Sequence, residues 1–134
     1  MTIYAERDGF KLVGGYYDNQ LVGYSAGYRL SPDTRWWDGL PSDVSPEFIR
    51  EDGRRTFVFA LLTVHPSWQG RGFGHALHDA LLTGRTEERT ALLVAPGNEP
   101  AHSSYYRWGW KKVGDLQFGD SPMFEALVHE LPLR

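Results

Sequence analysis

The densest chemistry in this sequence lies in six residues, Gln69-Gly70-Arg71-Gly72-Phe73-Gly74, which follow an apolar run ending at Val64 and open an amphipathic stretch. Glycine lets the backbone approach a ligand closely and take dihedrals closed to other residues. The first turn of a helix leaves amide N–H groups without intrahelical partners, and the helix dipole favours negative charge there. A strand, this turn and a helix in succession therefore predict a phosphate or pyrophosphate site, to which Arg71 adds a cation. The competing reading is a sharp connection in which the glycines only permit the bend. Two nucleotide patterns fail on the string itself. The dinucleotide fingerprint requires a third glycine where His75 stands, and no Gly-Lys-Ser/Thr follows as the Walker A pattern demands.

A second set of reactive residues lies further along. Ala101, Tyr105 and Trp108 recur at helical spacing and share one face. Tyr105 is a candidate proton donor, although a tyrosine packed in a core has the same pattern; Tyr106, rotated ~100° around the helix, is the alternative hydroxyl. Asn98 reads as the N-cap of this helix. His75 and His78 stand at the i, i+3 spacing of a metal pair, but no third ligand is evident, so no metal is predicted. For a general base, Glu51 and Asp52 before the apolar run and His65 after it are candidates, beside water relayed by backbone carbonyls.

These groups need elements to position them. Phe10 to Tyr17 and Gln20 to Leu30 read as strands about Asp18-Asn19, a pair that tolerates the positive φ of a tight hairpin. Ser31 to Arg55 holds Pro32, Pro41 and Pro46, the paired Trp36-Trp37 and many charges without a sustained period. It reads as a long excursion with a short helix near Pro46 to Arg50 capped by Ser45. Thr56 to Val64 is an apolar run expected as a strand covered on both faces. Phe73, Ala76, Leu77, Ala80 and Leu81 make one stripe of a helix that ends at Thr83-Gly84. Thr90 to Ala95 is the next buried strand, the helix from Asn98 to Gly109 follows, and Trp110 to Phe118 and Met123 to Leu131 are two final strands. This order predicts an α/β fold with a mixed sheet, formed by residues 1–134 as one domain.

Composition limits the partners. With 17 acidic against 14 basic side chains the formal net charge is −3, which argues against a nucleic-acid or anionic-membrane surface. Cysteine is absent, which removes disulfides, thiolate metal sites and a cysteine nucleophile. No leader-like apolar segment or run near the ~20 residues of a spanning helix is visible, so a cytoplasmic protein is expected.

The stretch from Val64 to Leu77 resembles the acetyl-CoA motif of the Gcn5-related N-acetyltransferases (GNAT), Q/R-x-x-G-x-G/A, with Gln69, Gly72 and Gly74 at its defining positions. Asn98-x-x-Ala101-x-x-x-Tyr105-x-x-x-Gly109-Trp110 resembles the second motif of that family, with Trp in place of Phe. Both occur in order and separated by a strand, and the likeness runs from about Phe10 to about Leu131. It implies a mixed, mostly antiparallel sheet flanked by helices, and acetyl transfer from acetyl-CoA to a primary amine of a small molecule or peptide. By the same resemblance, backbone amides of Gly70, Arg71, Gly72, Phe73, Gly74 and His75 would hold the pyrophosphate, beside Gln69. Backbone groups at Leu62 and Val64 would hold the pantetheine arm and polarise the thioester carbonyl. Asn98 would contact the cofactor, and Tyr105 would act as general acid at the departing sulfur.

Relatives also border the acceptor with the segment that here carries Trp36 and Trp37 among Asp33, Asp38 and Asp43. That implies an aromatic and acidic lip for a cationic amine, the competing reading being rings docked for stability. Most relatives carry a first strand and two helices before the hairpin, and Met1 to Asp8 reads as too short to supply them. One flank of the sheet would then be uncovered, which favours association, for instance as a homodimer. The alternative function is a non-catalytic acyl-CoA-binding or assembly module of the same fold.

Overall fold

The computed structural model describes residues 2–7, 9–41 and 44–133, the first of these stretches by its backbone alone. Asp43 of the proposed acidic lip lies outside the described residues. In chain order the strands are β1 (Thr2–Arg7), β2 (Phe10–Tyr17), β3 (Gln20–Arg29), β4 (Thr56–Val64), β5 (Arg89–Val94), β6 (Lys111–Leu116) and β7 (Phe124–Glu130). The helices are α1 (Pro46–Ile49), α2 (Phe73–Leu82) and α3 (Ala101–Arg107), and a 3-10 turn spans Pro66–Trp68. The strands form one seven-stranded sheet in the order β1-β2-β3-β4-β5-β7-β6. Every neighbouring pair is antiparallel except β4 with β5.

Local chemistry sets the hairpins. Asp18 and Asn19 both take positive φ, 49° and 64°, the geometry that a two-residue turn needs to match the twist of its strands. At Gly23 and Gly27 the neighbouring backbone comes so close that an added Cβ would lie 2.4 Å from the carbonyl oxygens of Thr63 and Val58, respectively. These glycines therefore seat β3 tightly against β4. Ser45 caps α1 by accepting from the Phe48 amide, and Lys11 sends its Nζ to the carbonyls of Ala80 and Leu81, where the C-terminal end of α2 favours a cation.

The reading of the N-terminus needs correction. Thr2 to Arg7 does supply a first strand, pairing with β2 from Thr2 opposite Gly15 to Arg7 opposite Phe10, with Gly9 at φ +86° in the turn. Six residues suffice because β2 already offers its edge. No helix stands between β1 and β2 among the described residues.

The two faces of the sheet have separate cores. On one, Val13, Phe57, Phe59, Leu92, Val94 and Leu127 pack under Leu77, Leu81 and Leu82 of α2 and Tyr105 of α3. On the other, Leu30, Val58 and Ala91 are covered by Trp37, with Trp36, Leu40 and Phe48 around them. The excursion from Ser31 to Arg55 thus covers the sheet where no helix does. Further along that face Phe10, Leu12, Tyr24, Tyr28 and Leu61 remain exposed, so among the described side chains the flank is bare over β2, β3 and the distal part of β4.

A buried ionic cluster ties the excursion down. Glu51 Oε2 meets Arg89 Nη2 at 2.9 Å and accepts hydrogen bonds from Trp37 Nε1 at 2.9 Å and Thr56 Oγ1 at 2.7 Å. The Arg89 guanidinium lies 4.4 Å from the centre of the Phe48 ring and 4.8 Å from the Trp37 ring.

Candidate active site

The site begins with an irregularity in β4. Ala26 pairs with Leu61 and Gly27 with Phe59, so Ala60 is an extra residue, a bulge that bends the strand. On its other side β4 pairs with β5 only from Thr56 to Val58, opposite Arg89 to Ala91. Beyond Val58 the two strands part. A cleft of about 340 Å³ occupies the gap beside α3, lined by Leu62 and Val64 of β4, Gln69, Gly70 and Gly74 of the Gly-rich turn, and Asn98, Ser104, Tyr105 and Trp108. Both motifs read from the sequence therefore open on one space.

The glycines have a local reason. Gly70 and Gly72 lie at φ +78° and +86°, where other residues are strained, and an added Cβ at either meets nothing within 4 Å. The space above the turn is open and only the dihedral requires glycine. Gly72 caps α2 without a side chain, the first turn holds no acid, and the first intrahelical bond is from the Ala76 amide to the Gly72 carbonyl. The amides of Phe73, Gly74 and His75 are left for an anion. Gln69 closes the turn by donating from Nε2 to the Val64 carbonyl at 3.0 Å. A diphosphate fits this open cradle of unpaired amides at the positive end of α2.

Tyr105 is the one titratable side chain among the residues lining the cleft. It is 9% exposed and held edge-on by Phe59, Trp108 and Trp110 at 6.0, 5.7 and 6.0 Å. Burial pushes its phenol up to about 12, so it carries its proton throughout the neutral range. Its hydroxyl has no hydrogen bond to any described residue, which leaves the proton available to a ligand.

Tyr106 faces away from the cleft and donates to Glu125 Oε1 at 2.7 Å. Burial and that carboxylate push its phenol, too, up to about 12. His102 Nε2 meets the same oxygen at 3.0 Å. Burial alone would raise the Glu125 carboxyl, but the bonds from Tyr106 and His102 outweigh it and hold the group below the usual carboxylate range. This cluster was not anticipated, and its one sequence signal is His102 and Tyr106 at i, i+4.

Asn98 does not cap α3 with its side chain; Pro100 holds that position, and Asn98 contributes only its carbonyl, accepting from the His102 amide at 2.9 Å. The Asn98 amide group at the cleft is thereby free for a ligand. Arg71 sits outside the cleft on the far side of the turn, with Trp68. Phe73 packs on Trp68 and Tyr17, and His75 stacks flat on Trp108 at 4.6 Å.

None of the base candidates lines the cleft. Glu51 is buried under the excursion, Asp52 accepts from the Arg54 amide, and His65 accepts from the Ser67 amide through Nδ1. Trp37 is 3% exposed, and of the pair only Trp36 reaches an open surface, a shallow depression shared with Tyr28, Arg29, Arg35 and Phe118. That depression is lined by aromatic side chains and arginines, while Asp33 and Asp38 are exposed outside its lining.

A third group does stand beside the histidine pair: ligand atoms of His75, His78 and Asp79 lie within 4.8 Å of one another. Hydrogen bonding decides their use. Trp110 Nε1, which can only donate, gives its hydrogen to His78 Nε2 at 2.9 Å. His78 Nδ1 must then carry the ring proton and donate to Asp79 Oδ1 at 2.8 Å. His78 is fully engaged, with no ring nitrogen free for a metal. Burial lowers its pKa, outweighing the opposing effect of Asp79, so the ring is held neutral.

Comparison with known proteins agrees with this geometry. Residues 2–110 match the family model described as the acetyltransferase (GNAT) family. A search of curated proteins finds no match. Among solved structures, Ard1 from Thermoplasma volcanium superposes with a TM-score of 0.66 at 19% identity, covering 92% of this chain and 71% of that one. Ribosomal-protein-alanine N-acetyltransferase from Brucella melitensis gives 0.67 at 18% identity, over 92% and 70% of the two chains. Arabidopsis thaliana Naa50, in complex with the bisubstrate analogue CoA-Ac-MVNAL, gives 0.63 at 16% identity, over 91% and 72%. With a family model matched over most of its length and the fold to go with it, the chain belongs to the GNAT family of acetyltransferases.

Proposed function

We propose that this chain binds acetyl-CoA in the cleft between β4 and α3 and transfers its acetyl group to a primary amine of a small molecule or peptide. The observation that carries the reading is the convergence of the Gly-rich turn and of Tyr105 on one cleft, opened where β4 leaves β5. Acetyl-CoA supplies an acetyl thioester, which an uncharged amine attacks at the carbonyl carbon. The amides of residues 73–75 hold the diphosphate at the positive end of α2. Backbone groups of Leu62 and Val64, unpaired by β5, hold the pantetheine arm. Asn98 contacts the same arm with its free amide.

Tyr105 Oη holds a proton and gives it to the sulfur as the carbon–sulfur bond breaks and the carbon–nitrogen bond forms. The proton lost by the amine leaves through water, since no described carboxylate lines the cleft. Trp36 borders the acceptor on the opposite face of the sheet.

The test has two parts. Acetyl-CoA at a hundred times its Kd should stabilise the protein by about 2.7 kcal/mol, read as a rise in Tm. A panel of amines should then release free thiol from acetyl-CoA at a rate proportional to protein. No rise in Tm at millimolar acetyl-CoA rules the reading out; a rise without thiol release from any amine leaves a binding module.

A further inference from the structure

On the face of the sheet opposite α2 and α3 lies a depression of about 380 Å³, walled by Tyr28, Arg29, Arg35, Trp36 and Phe118. No acidic residue lines it, in a chain whose net charge is −3. Its cations are lightly engaged. Arg29 Nε stands 3.8 Å from Glu87, but Arg85 already donates to both oxygens of that carboxylate, at 2.9 and 2.7 Å. Arg35 meets Asp38 at 2.8 Å, and both side chains are so exposed that the pair is worth little in water. Asp33, outside the lining, accepts from the Ser31 hydroxyl at 2.7 Å. The Tyr28 hydroxyl bonds to no described residue.

The walls are set by the fold. Trp36 is held edge-on at 4.6 Å by the buried Trp37. Arg29 lies against Gly9 of the β1–β2 turn, where a Cβ would come within 2.8 Å of its Nε. The place of the depression along the sheet gives it a use. Tyr28 is opposite Val58, the last residue of β4 that pairs with β5. Past Val58 the gap opens, and Leu62 of the cleft follows four residues on, ~13 Å along the strand. Between these levels Tyr28 is 39% exposed and Leu61 41%, so the surface from the gap to the depression is open and apolar. An extended chain whose terminal amine lies in the gap brings its third to fifth residues over the depression, at ~3.3–3.6 Å per residue. A small amine cannot reach both.

We propose that this depression reads an acidic side chain of the acceptor. Resting on the acetyl-transfer reading above, the acceptor is then the amino terminus of a peptide that carries Asp or Glu three to five residues in. Guanidinium forks match a carboxylate, the rings of Tyr28, Trp36 and Phe118 flank its neighbours, and a basic side chain meets two like charges.

Three heptapeptides with free amino termini, alike but for Glu, Gln or Lys at positions three to five, test this without turnover when titrated into the protein saturated with CoA. The Glu peptide should bind about 10-fold tighter than the Gln peptide, and the Lys peptide weakest. Raising the salt from 0.05 to about 0.5 M should shrink that advantage. Arg29→Gln and Arg35→Gln should each bring the Glu peptide toward the Gln peptide, with Tm values showing that the variants fold. Arg35→Glu should turn the preference toward the Lys peptide, which a mere loss of structure would not do. Equal affinities for the Glu and Gln peptides overturn the proposal, as does a Glu preference that persists when both arginines are replaced by Gln. Thiol release with small amines while no peptide binds also overturns it, and leaves acetyl transfer standing. A Glu peptide that binds as expected but releases no thiol from acetyl-CoA is the other failure: it supports the subsite and removes the transfer reading.

Discussion

Tyr105 and Tyr106 are neighbours, each pushed up to about 12, yet only one is placed for the reaction proposed above. The hydroxyl of Tyr106 is spent on Glu125, while that of Tyr105 faces the cleft without a partner. Tyr105→Phe should therefore lower kcat by about 10²- to 10⁴-fold and leave the acetyl-CoA Kd unchanged, whereas Tyr106→Phe should leave kcat within about 2-fold. A phenol pushed up to about 12 also predicts that kcat does not fall between pH 8 and pH 10 through loss of the Tyr105 proton; a pH profile of the wild type shows whether it does. His78 gives a prediction of the opposite sign. Its pKa is lowered from 6.5 on folding, so the stability it contributes is present above that value and is lost as pH falls below it, where the unfolded chain binds the proton more readily. Chemical denaturation at pH 7.5 and pH 5.5 should show a smaller acid loss in His78→Gln, whose carbonyl still accepts from Trp110; an identical loss removes His78 as the cause. The inward place of Tyr105 on its helix was legible in the spacing, whereas its role as general acid was implied only by the family resemblance. The tautomer of His78 was not legible, because Trp110 lies 32 positions away and only the fold brings its N–H to the ring.

At the scale of elements, what the chain writes locally was readable. Asp18-Asn19 states a turn in two residues, and the stripe from Phe73 to Leu81 states α2 to within one position of its end. Gly72 is where this local reading becomes testable. Gly72→Ala puts a Cβ at φ +86° and should cost roughly 1–2 kcal/mol of stability, even though no atom lies near enough to clash. A thermal melt showing no loss would mean the turn relaxes to another conformation, and acetyl-CoA affinity should then fall with it. Elements whose existence depends on a partner were harder. β1 is six residues with no flanking signal, and it forms because β2 presents an edge. The excursion looked like an acceptor lip because aromatic and acidic residues share it. Its ring Trp37, together with the base candidate Glu51, is turned inward on Arg89, a residue of β5 that no local pattern connects to them.

On the scale of the whole molecule, the sheet is held between two helices on one face and an irregular segment on the other, and the second attachment contains the buried ion pair of Glu51 with Arg89. Glu51→Ala leaves the Arg89 charge buried without a partner and should cost about 3–5 kcal/mol, read in guanidine melts. Joint replacement of Glu51 and Arg89 by methionine should recover much of that loss, since the rings of Trp37 and Phe48 already make the surroundings apolar. A loss under 1 kcal/mol in Glu51→Ala would show the excursion to be held by its rings alone. The fold class was legible from the order of elements; the parting of β4 from β5 was not, because both strands read as equally apolar and nothing in either announces where their ladder stops. That parting leaves a mark measurable without any ligand chemistry. Along β4, amides that point to β3 are bonded on both sides of the Ala60 bulge, but those pointing the other way lose their partner after Val58. In deuterated water the distal half of this single strand should exchange in an alternating pattern, one amide slow and the next fast. Filling the cleft should turn the whole strand slow.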